Sequence, residues 1–305
     1  VARYQRLQAS SLEFVTEVAT KKGGPRSKAV WEESSPYSRI SLSRYTPNVG
    51  VVIDNIDLAN IDDETTKEIR RALAEHCVVF FRDQNLSVEQ HIEFGRRFGE
   101  LDVHPAAANA TGYQEILVVS ADENSERANG EAWHSDVSCQ PQPPMGSILY
   151  IHDVPPSGGD TMFSNMYAAY DALSDKMKEY LDGLVAVHDG EHVYRGLYTG
   201  VADKPSYPRS KHPVVRTHPE TGKKCLFVNR SFTTHIVGVP RDESDAILHF
   251  LYQHMEHPNF QCRFQWEPNS IAFWDNRCAQ HRAIWDYWPH RRYGHRVTVK
   301  GDTPY

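Results

Sequence analysis

Runs of β-branched and aromatic residues in this chain are short, and turn-forming residues repeatedly cut them off. Val51-Val52-Ile53, Cys77–Phe81, Ile116–Val119, Ile148–Val154, Val214–Thr217, Leu226–Val228, Phe260–Phe264, Ser270–Trp274 and Arg296–Val299 each read as a strand of a few residues. Helical spacing is confined to a few stretches. Asp62–His76 places Ile69 and Leu73 on one face. Ser87-Val88-Glu89-Gln90 is a capping-box pattern opening a helix through Phe98, Tyr167–Leu181 reads as largely helical, and Asp242–His254 carries Ile247, Leu248 and Leu251 together. Many short strands with helices added outside predict a β-rich α+β fold with a sandwich or jelly-roll core. Residues 190–212, rich in Gly, Pro and Tyr, read as a long loop of the kind that often serves as a lid.

Residues 1–39 read as an N-terminal extension. They mix Lys21, Lys22, Arg26 and Lys28 with Gly23, Gly24 and Pro25, and have neither the apolar stretch of a secretory signal nor the acid-poor character of a transit peptide. One compact domain is expected over 40–305. The 33 basic and 40 acidic residues leave a net charge of −7, which argues against a general nucleic-acid binder. No apolar run approaches the roughly 18–20 residues that cross a bilayer, so no membrane association is expected. Cys77, Cys139, Cys225, Cys262 and Cys278 are dispersed and form no CxxC pair, which points to a reducing compartment such as the cytoplasm.

The first chemical feature is Trp133-His134-Ser135-Asp136. On a strand, His134 and Asp136 point to one face, and an imidazole beside a carboxylate can give a metal two adjacent ligands. A histidine from a distant strand would complete a 2-His-1-carboxylate triad with three open positions, as in non-haem Fe(II) oxygenases. An HxD pair alone carries little weight in a chain with 16 histidines. Two HxE pairs, at His91 and His218, fall on a helix and in a Pro-Glu-Thr-Gly turn, where a surface role is expected. Downstream, His281 is followed at eleven and fifteen residues by Arg292 and Arg296, whose planar guanidinium forks suit carboxylates and similar anions.

Read together, WHSD, GSILY, PSGGDT, HPVVRTHPETGK, FVNRSFTTHIVGV and WDNRCAQHRAIWDYWPHRRYGHRVTVKGDTPY resemble the taurine dioxygenase family, in order and with matching spacing over residues 42–305. These are Fe(II)- and 2-oxoglutarate-dependent dioxygenases, among them alkylsulfatases and aryloxyalkanoate dioxygenases. The resemblance implies a double-stranded β-helix (jelly roll) with flanking helices, using Fe(II), 2-oxoglutarate and O2. It implies His134, Asp136 and His281 as iron ligands, and Thr161 and Arg292 as the partners of the distal 2-oxoglutarate carboxylate. Arg296, His104 and the backbone N–H of Val137 would hold the anionic group of a small organic substrate. Tyr194 and Phe232 would line its pocket. A homodimer or tetramer is also implied.

Three departures bear on substrate. Where taurine-specific members place an Asp-Asn pair facing the amine, this chain reads Asn129-Gly130-Glu131-Ala132. Ala107 and Cys139 stand where the family has a tyrosine and a phenylalanine, which predicts a larger pocket. The expected substrate is an organosulfonate, with alkyl sulfates, aryloxyalkanoates or other carboxylates as alternatives. A non-catalytic jelly-roll binding protein is the reading from another class, and the complete ligand set argues against it.

Overall fold

The computed structural model describes residues 36–103, 112–126, 130–195 and 207–305. Its largest sheet has eight strands. The order is Ser41–Arg44, Val51–Asp54, Val78–Phe81, Ser270–Asp275, Gly146–Asp153, Arg292–Val299 and Leu101–Asp102, with Leu117–Ala121 also paired to Arg292–Val299. Facing it is a three-stranded sheet in which Thr161–Asn165 lies between Gln261–Phe264 and Ala279–Ala283. A second three-stranded sheet joins Val185–Asp189 to Thr233–Ile236 and Arg209–Pro213. The expected strand-rich jelly roll with flanking helices is what the chain adopts.

The period-2 alternation of the central strands separates two cores. In Ser270–Asp275, Ala272 and Trp274 face the inside of the roll, whereas Ile271 and Phe273 face a helical layer. Val78–Phe81 divides the same way: Val78 and Phe80 inward, Val79 and Phe81 outward. Phe80 stacks on Phe264 at a centroid distance of 4.0 Å and meets Phe163 at 5.6 Å, so it bridges the facing sheets. Burying one such ring contributes roughly 1.5–3 kcal/mol. The outer layer is made by the helices Asp63–His76 and Val88–Arg96. Asp62 caps the first by accepting from the Thr65 N–H at 2.8 Å. Ser87 and Gln90 form the predicted capping box on the second.

Several expectations need correction. The helix read through Phe98 ends at Arg96. Tyr167–Leu181 is two helices, Met166–Asp171 and Asp175–Leu181, because Ser174 turns its side chain back to cap the second. The loop read over 190–212 contains a helical turn, Glu191–Tyr194, and the strand Arg209–Pro213; residues 196–206 of that stretch lie outside the described residues. The strand read from Arg296 begins at Arg292, and His91 and His218, expected at the surface, are both buried, against the Ile148 carbonyl and the Asp275 carboxylate.

Candidate metal centre

The chain crosses from the large sheet to the small one through Asn276, Arg277 and Cys278, between Ser270–Asp275 and Ala279–Ala283. That crossing carries His281 into the mouth of the roll. There His134 meets it in an isolated antiparallel bridge, with N–H···O bonds of 3.0 and 2.8 Å exchanged between the two residues. Gly130 accepts from the Ala283 N–H further along. Its φ of +87° and the 3.1 Å that a Cβ would have to His134 Cε1 suit that position to glycine.

His134 and Asp136 do not share a strand, contrary to the expectation. The extended segment ends at His134, and the chain turns through Asp136 and Val137, with Val137 at φ 45°. The turn still gathers the ligands. Asp136 Oδ1 lies 3.7 Å from His134 Nε2 and 3.9 Å from His281 Nε2. Edges of one octahedral face with metal–ligand bonds near 2.1 Å span about 3 Å, so small inward shifts would close this set on an ion. The donors suit a metal. His134 Nδ1–H donates to the Ala132 carbonyl at 2.8 Å, which leaves the Nε2 lone pair free. The His281 ring lies 4.5 Å from that of Trp274 and 4.1 Å from that of His134.

Electrostatics favour an ionised Asp136 carboxylate and a neutral His281 imidazole. Burial alone would raise the Asp136 pKa, but Arg296, His281 and His134 outweigh it and hold the carboxyl well below its ordinary range. Burial, with His134 beside it, pushes His281 well below the usual histidine value. Neutral imidazole and ionised carboxylate are the forms a metal binds. Arg296 Nη1 donates to Asp136 Oδ1 at 2.9 Å, so the arginine expected to face substrate stands against the metal-ligand candidate itself.

A second group lies further along the mouth. The Arg292 side chain is buried, its Nε donates to the Gly159 carbonyl at 3.1 Å, and its guanidinium sits 5.4 Å from the Trp266 ring. Trp266 Nε1 donates to Thr161 Oγ1 at 3.0 Å, leaving the Thr161 proton for another acceptor. No carboxylate among the described residues pairs with Arg292, and burial lowers its pKa. It lines a narrow cleft together with Val119, Ser120, Ala121, Ala283, Ile284 and Tyr287. An arginine stays charged in a protein, so Arg292 brings a buried positive charge to this cleft without a carboxylate beside it. Gly159, at φ +72°, lets the backbone approach, since a Cβ there would lie 3.3 Å from Arg292 Cδ.

The remaining expected residues divide. Val137, Cys139, Tyr194 and Phe232 form one buried apolar cluster. Cys139 is fully buried, and the Tyr194 ring packs on Gly190, 2.8 Å from where its Cβ would stand. His104, with Ala107 and Asn129, lies outside the described residues. Asp160 accepts from Arg263 Nε at 2.6 Å and takes no part in the cluster. His295 turns to the other face of the sheet, against Tyr293 and His152. Sequence reasoning missed Trp266, Ser147 and Asn276; indole, hydroxyl and amide groups inside strand patterns look like ordinary core polar residues. A second ligand-like trio, His218, Asp275 and Cys278, is already satisfied internally. Both Asp275 oxygens accept from Arg277, and His218 Nε2 lies 3.0 Å from Oδ2.

Comparison with known proteins points to one family. The profile of the "Taurine catabolism dioxygenase TauD, TfdA family" matches residues 41–298. The "Alpha-ketoglutarate-dependent sulfonate dioxygenase" of Saccharomyces cerevisiae is 32% identical over 280 residues, which is 87% of this chain and 68% of that protein. The "Alkylsulfatase" of Acinetobacter baylyi is 33% identical, covering 88% of this chain and 87% of its own. A crystal structure of a taurine dioxygenase from Burkholderia xenovorans superposes with a TM-score of 0.77 at 36% identity, over 88% of this chain and 91% of that one. Profile, sequence and fold coincide, and the chain belongs to the TauD/TfdA family of Fe/2-oxoglutarate-dependent dioxygenases.

Proposed function

We propose that this dioxygenase hydroxylates a small organic anion, an organosulfonate, so that sulfite and an aldehyde leave alongside succinate and CO2. His134, Asp136 and His281 would hold Fe(II). Arg292 and Thr161 would take the distal carboxylate of 2-oxoglutarate, and Arg296 the anionic group of the substrate, assisted by His104 and the Val137 N–H. Bound Fe(II), with 2-oxoglutarate and O2, supplies the oxidising power that places oxygen on a substrate C–H. The observation that carries the reading is the convergence of two imidazole Nε2 atoms and one Asp136 oxygen beside Arg296, with Arg292 lining a nearby cleft.

The chain's own work is positioning. Arg292 anchors the far end of the co-substrate, aided by the Thr161 hydroxyl that Trp266 orients. Arg296 fixes the substrate's charged end, while Val137, Cys139, Tyr194 and Phe232 exclude water from its carbon chain. Misplacing the reacting carbon by about 1 Å can cost on the order of a hundredfold in rate. No protein nucleophile is required. A carbon bearing both hydroxyl and sulfonate then breaks to carbonyl and sulfite by its own chemistry.

An alkyl sulfate is the second reading. The apolar wall around Phe232 suits an alkyl chain, and the Acinetobacter relative is an alkylsulfatase. Five free, buried cysteines support a reducing compartment such as the cytoplasm. No helix among the described residues is long and apolar enough to cross a membrane. Domain limits of 1–39 and 40–305, and a dimeric or tetrameric assembly, are part of the same proposal. The test is an anaerobic titration with Fe(II) and 2-oxoglutarate, followed by succinate release on sulfonates, alkyl sulfates and aryloxy acids. A weak visible charge-transfer band and turnover with sulfonates are expected. If no acid stimulates succinate release, the proposal fails.

A further inference from the structure

Asp136 has two oxygens, and the fold treats them differently. Oδ1 faces the histidines. Oδ2 accepts a 2.7 Å hydrogen bond from the hydroxyl of Ser147, a fully buried residue on the strand Gly146–Asp153. The direction of that bond is forced. The Trp274 indole N–H can only donate, and it donates to Asn276 Oδ1 at 3.0 Å; the Asp136 backbone N–H donates to the same oxygen at 3.1 Å. The Asn276 amide nitrogen is thereby turned to Ser147 Oγ, 3.2 Å away. With that donor on its oxygen, the serine has one proton left, and Asp136 Oδ2 receives it.

We propose that Ser147, held by Asn276 and Trp274, is a positioning residue that reserves Asp136 Oδ2, so that the carboxylate meets the metal through Oδ1 alone. The inference rests on Asp136 being a metal ligand. Its consequence is coordination number. One oxygen and two imidazoles leave three positions of an octahedron for co-substrate and oxygen, whereas a chelating carboxylate leaves two. Trp274 joins both halves of the centre, since its ring packs on His281 while its N–H fixes Asn276. Partners of this kind typically change metal affinity tenfold to a hundredfold when removed.

The test compares wild type with Ser147→Ala, Ser147→Thr, Asp136→Ala and Ser244→Ala. Ser244 is equally buried and accepts from the Ile236 N–H, on the helix Arg241–Met255 away from the centre, so its loss reports a structural effect alone. Mn(II) affinity is measured by calorimetry and the Co(II)-loaded visible spectrum is recorded; thermal denaturation checks folding. Ser147→Ala is expected to bind Mn(II) roughly tenfold to a hundredfold more weakly, with an altered Co(II) spectrum. Ser147→Thr should recover the wild-type spectrum, and Ser244→Ala should keep both readouts. If folded Ser147→Ala matches wild type while Asp136→Ala loses the metal, the role of Ser147 is refuted and the ligand set survives. If Asp136→Ala binds as wild type, the underlying reading falls and the inference falls with it.

Discussion

Arg296 Nη1 and the imidazole Nε2 atoms of His134 and His281 converge on one oxygen, Oδ1 of Asp136, at 2.9, 3.7 and 3.9 Å. A metal ion bound there would compete with the guanidinium for that oxygen. Without metal, Arg296 is the cation that lets the buried carboxylate stay ionised. Arg296→Ala should therefore destabilise the metal-free protein by about 3–5 kcal/mol, the usual effect of stranding one buried charge. Mn(II) should then raise the variant's melting temperature by more than it raises that of wild type, because it replaces the missing cation. Denaturation with chelator and with Mn(II) checks this. Equal metal-induced gains in the two proteins would refute the competition.

The arrangement around Arg292 predicts a separable effect. Trp266→Phe removes the indole donor that orients Thr161 Oγ1 but leaves Arg292 beside an aromatic ring. One hydrogen bond is worth about 0.5–1.5 kcal/mol, so the KM for 2-oxoglutarate should rise by a few-fold to about tenfold. Arg292→Lys should raise it further, since an ammonium cannot reproduce a two-point guanidinium contact. The KM of the primary substrate should stay unchanged in both variants. A shift in that constant instead would exchange the roles given to Arg292 and Arg296.

Much of the centre was legible in the sequence, for a physical reason. Residue identity and collinear order survive errors in local geometry, so the side chains of His134, Asp136 and His281 meet even though Asp136 leaves the strand for a turn at Val137. The groups that orient those side chains were not legible. Ser147 sits in the fully buried run of Gly146–Tyr150, where alternation gives no sign of which side chain reaches the centre. Trp266 meets Thr161 only through the pairing of Gln261–Phe264 with Thr161–Asn165. That strand, with its mixed sequence Thr-Met-Phe-Ser-Asn, had no periodic signal of its own. Ser174 looked like a helix-interior residue until its side chain was seen capping the next helix.

Buried histidines outside the centre predict acid sensitivity. Burial lowers the pKa of His91 and of His188 to about 3. In the folded protein both are neutral at pH 5, while in the unfolded chain a histidine titrates near 6.5. The unfolded state thus binds more protons between about pH 6.5 and pH 3, and stability falls as pH drops through that window. Each group contributes roughly 1.4 kcal/mol per pH unit well inside it. His91 Nε2 lies 3.2 Å from the Ile148 carbonyl, in contact with the large sheet. In His91→Phe, the slope of stability against pH between 6 and 5 should fall by about one proton. Urea denaturation at a series of pH values measures it, and an unchanged slope would mean that His91 titrates normally in the fold.

The second cluster of ligand-type residues gives the last prediction. Asp275 accepts from the Arg277 backbone N–H, Nε and Nη2 at 2.9, 2.9 and 2.7 Å. His218 completes the set by holding Oδ2 through Nε2, while its Nδ1 accepts from the backbone N–H groups of Glu220 and Thr221. Arg277 also pairs with Glu220 at 2.6 Å. A guanidinium already fills the carboxylate's acceptor sites, so a cation would have to displace it from a fully buried position. Asp275→Asn should destabilise the fold by about 3–5 kcal/mol, because it leaves Arg277 short of its main counter-charge. Wild type should nevertheless bind a single Mn(II) per chain, and folded Asp275→Asn should keep that stoichiometry. Two equivalents in wild type falling to one in the variant would make this trio a metal site and overturn its reading as an internally satisfied cluster.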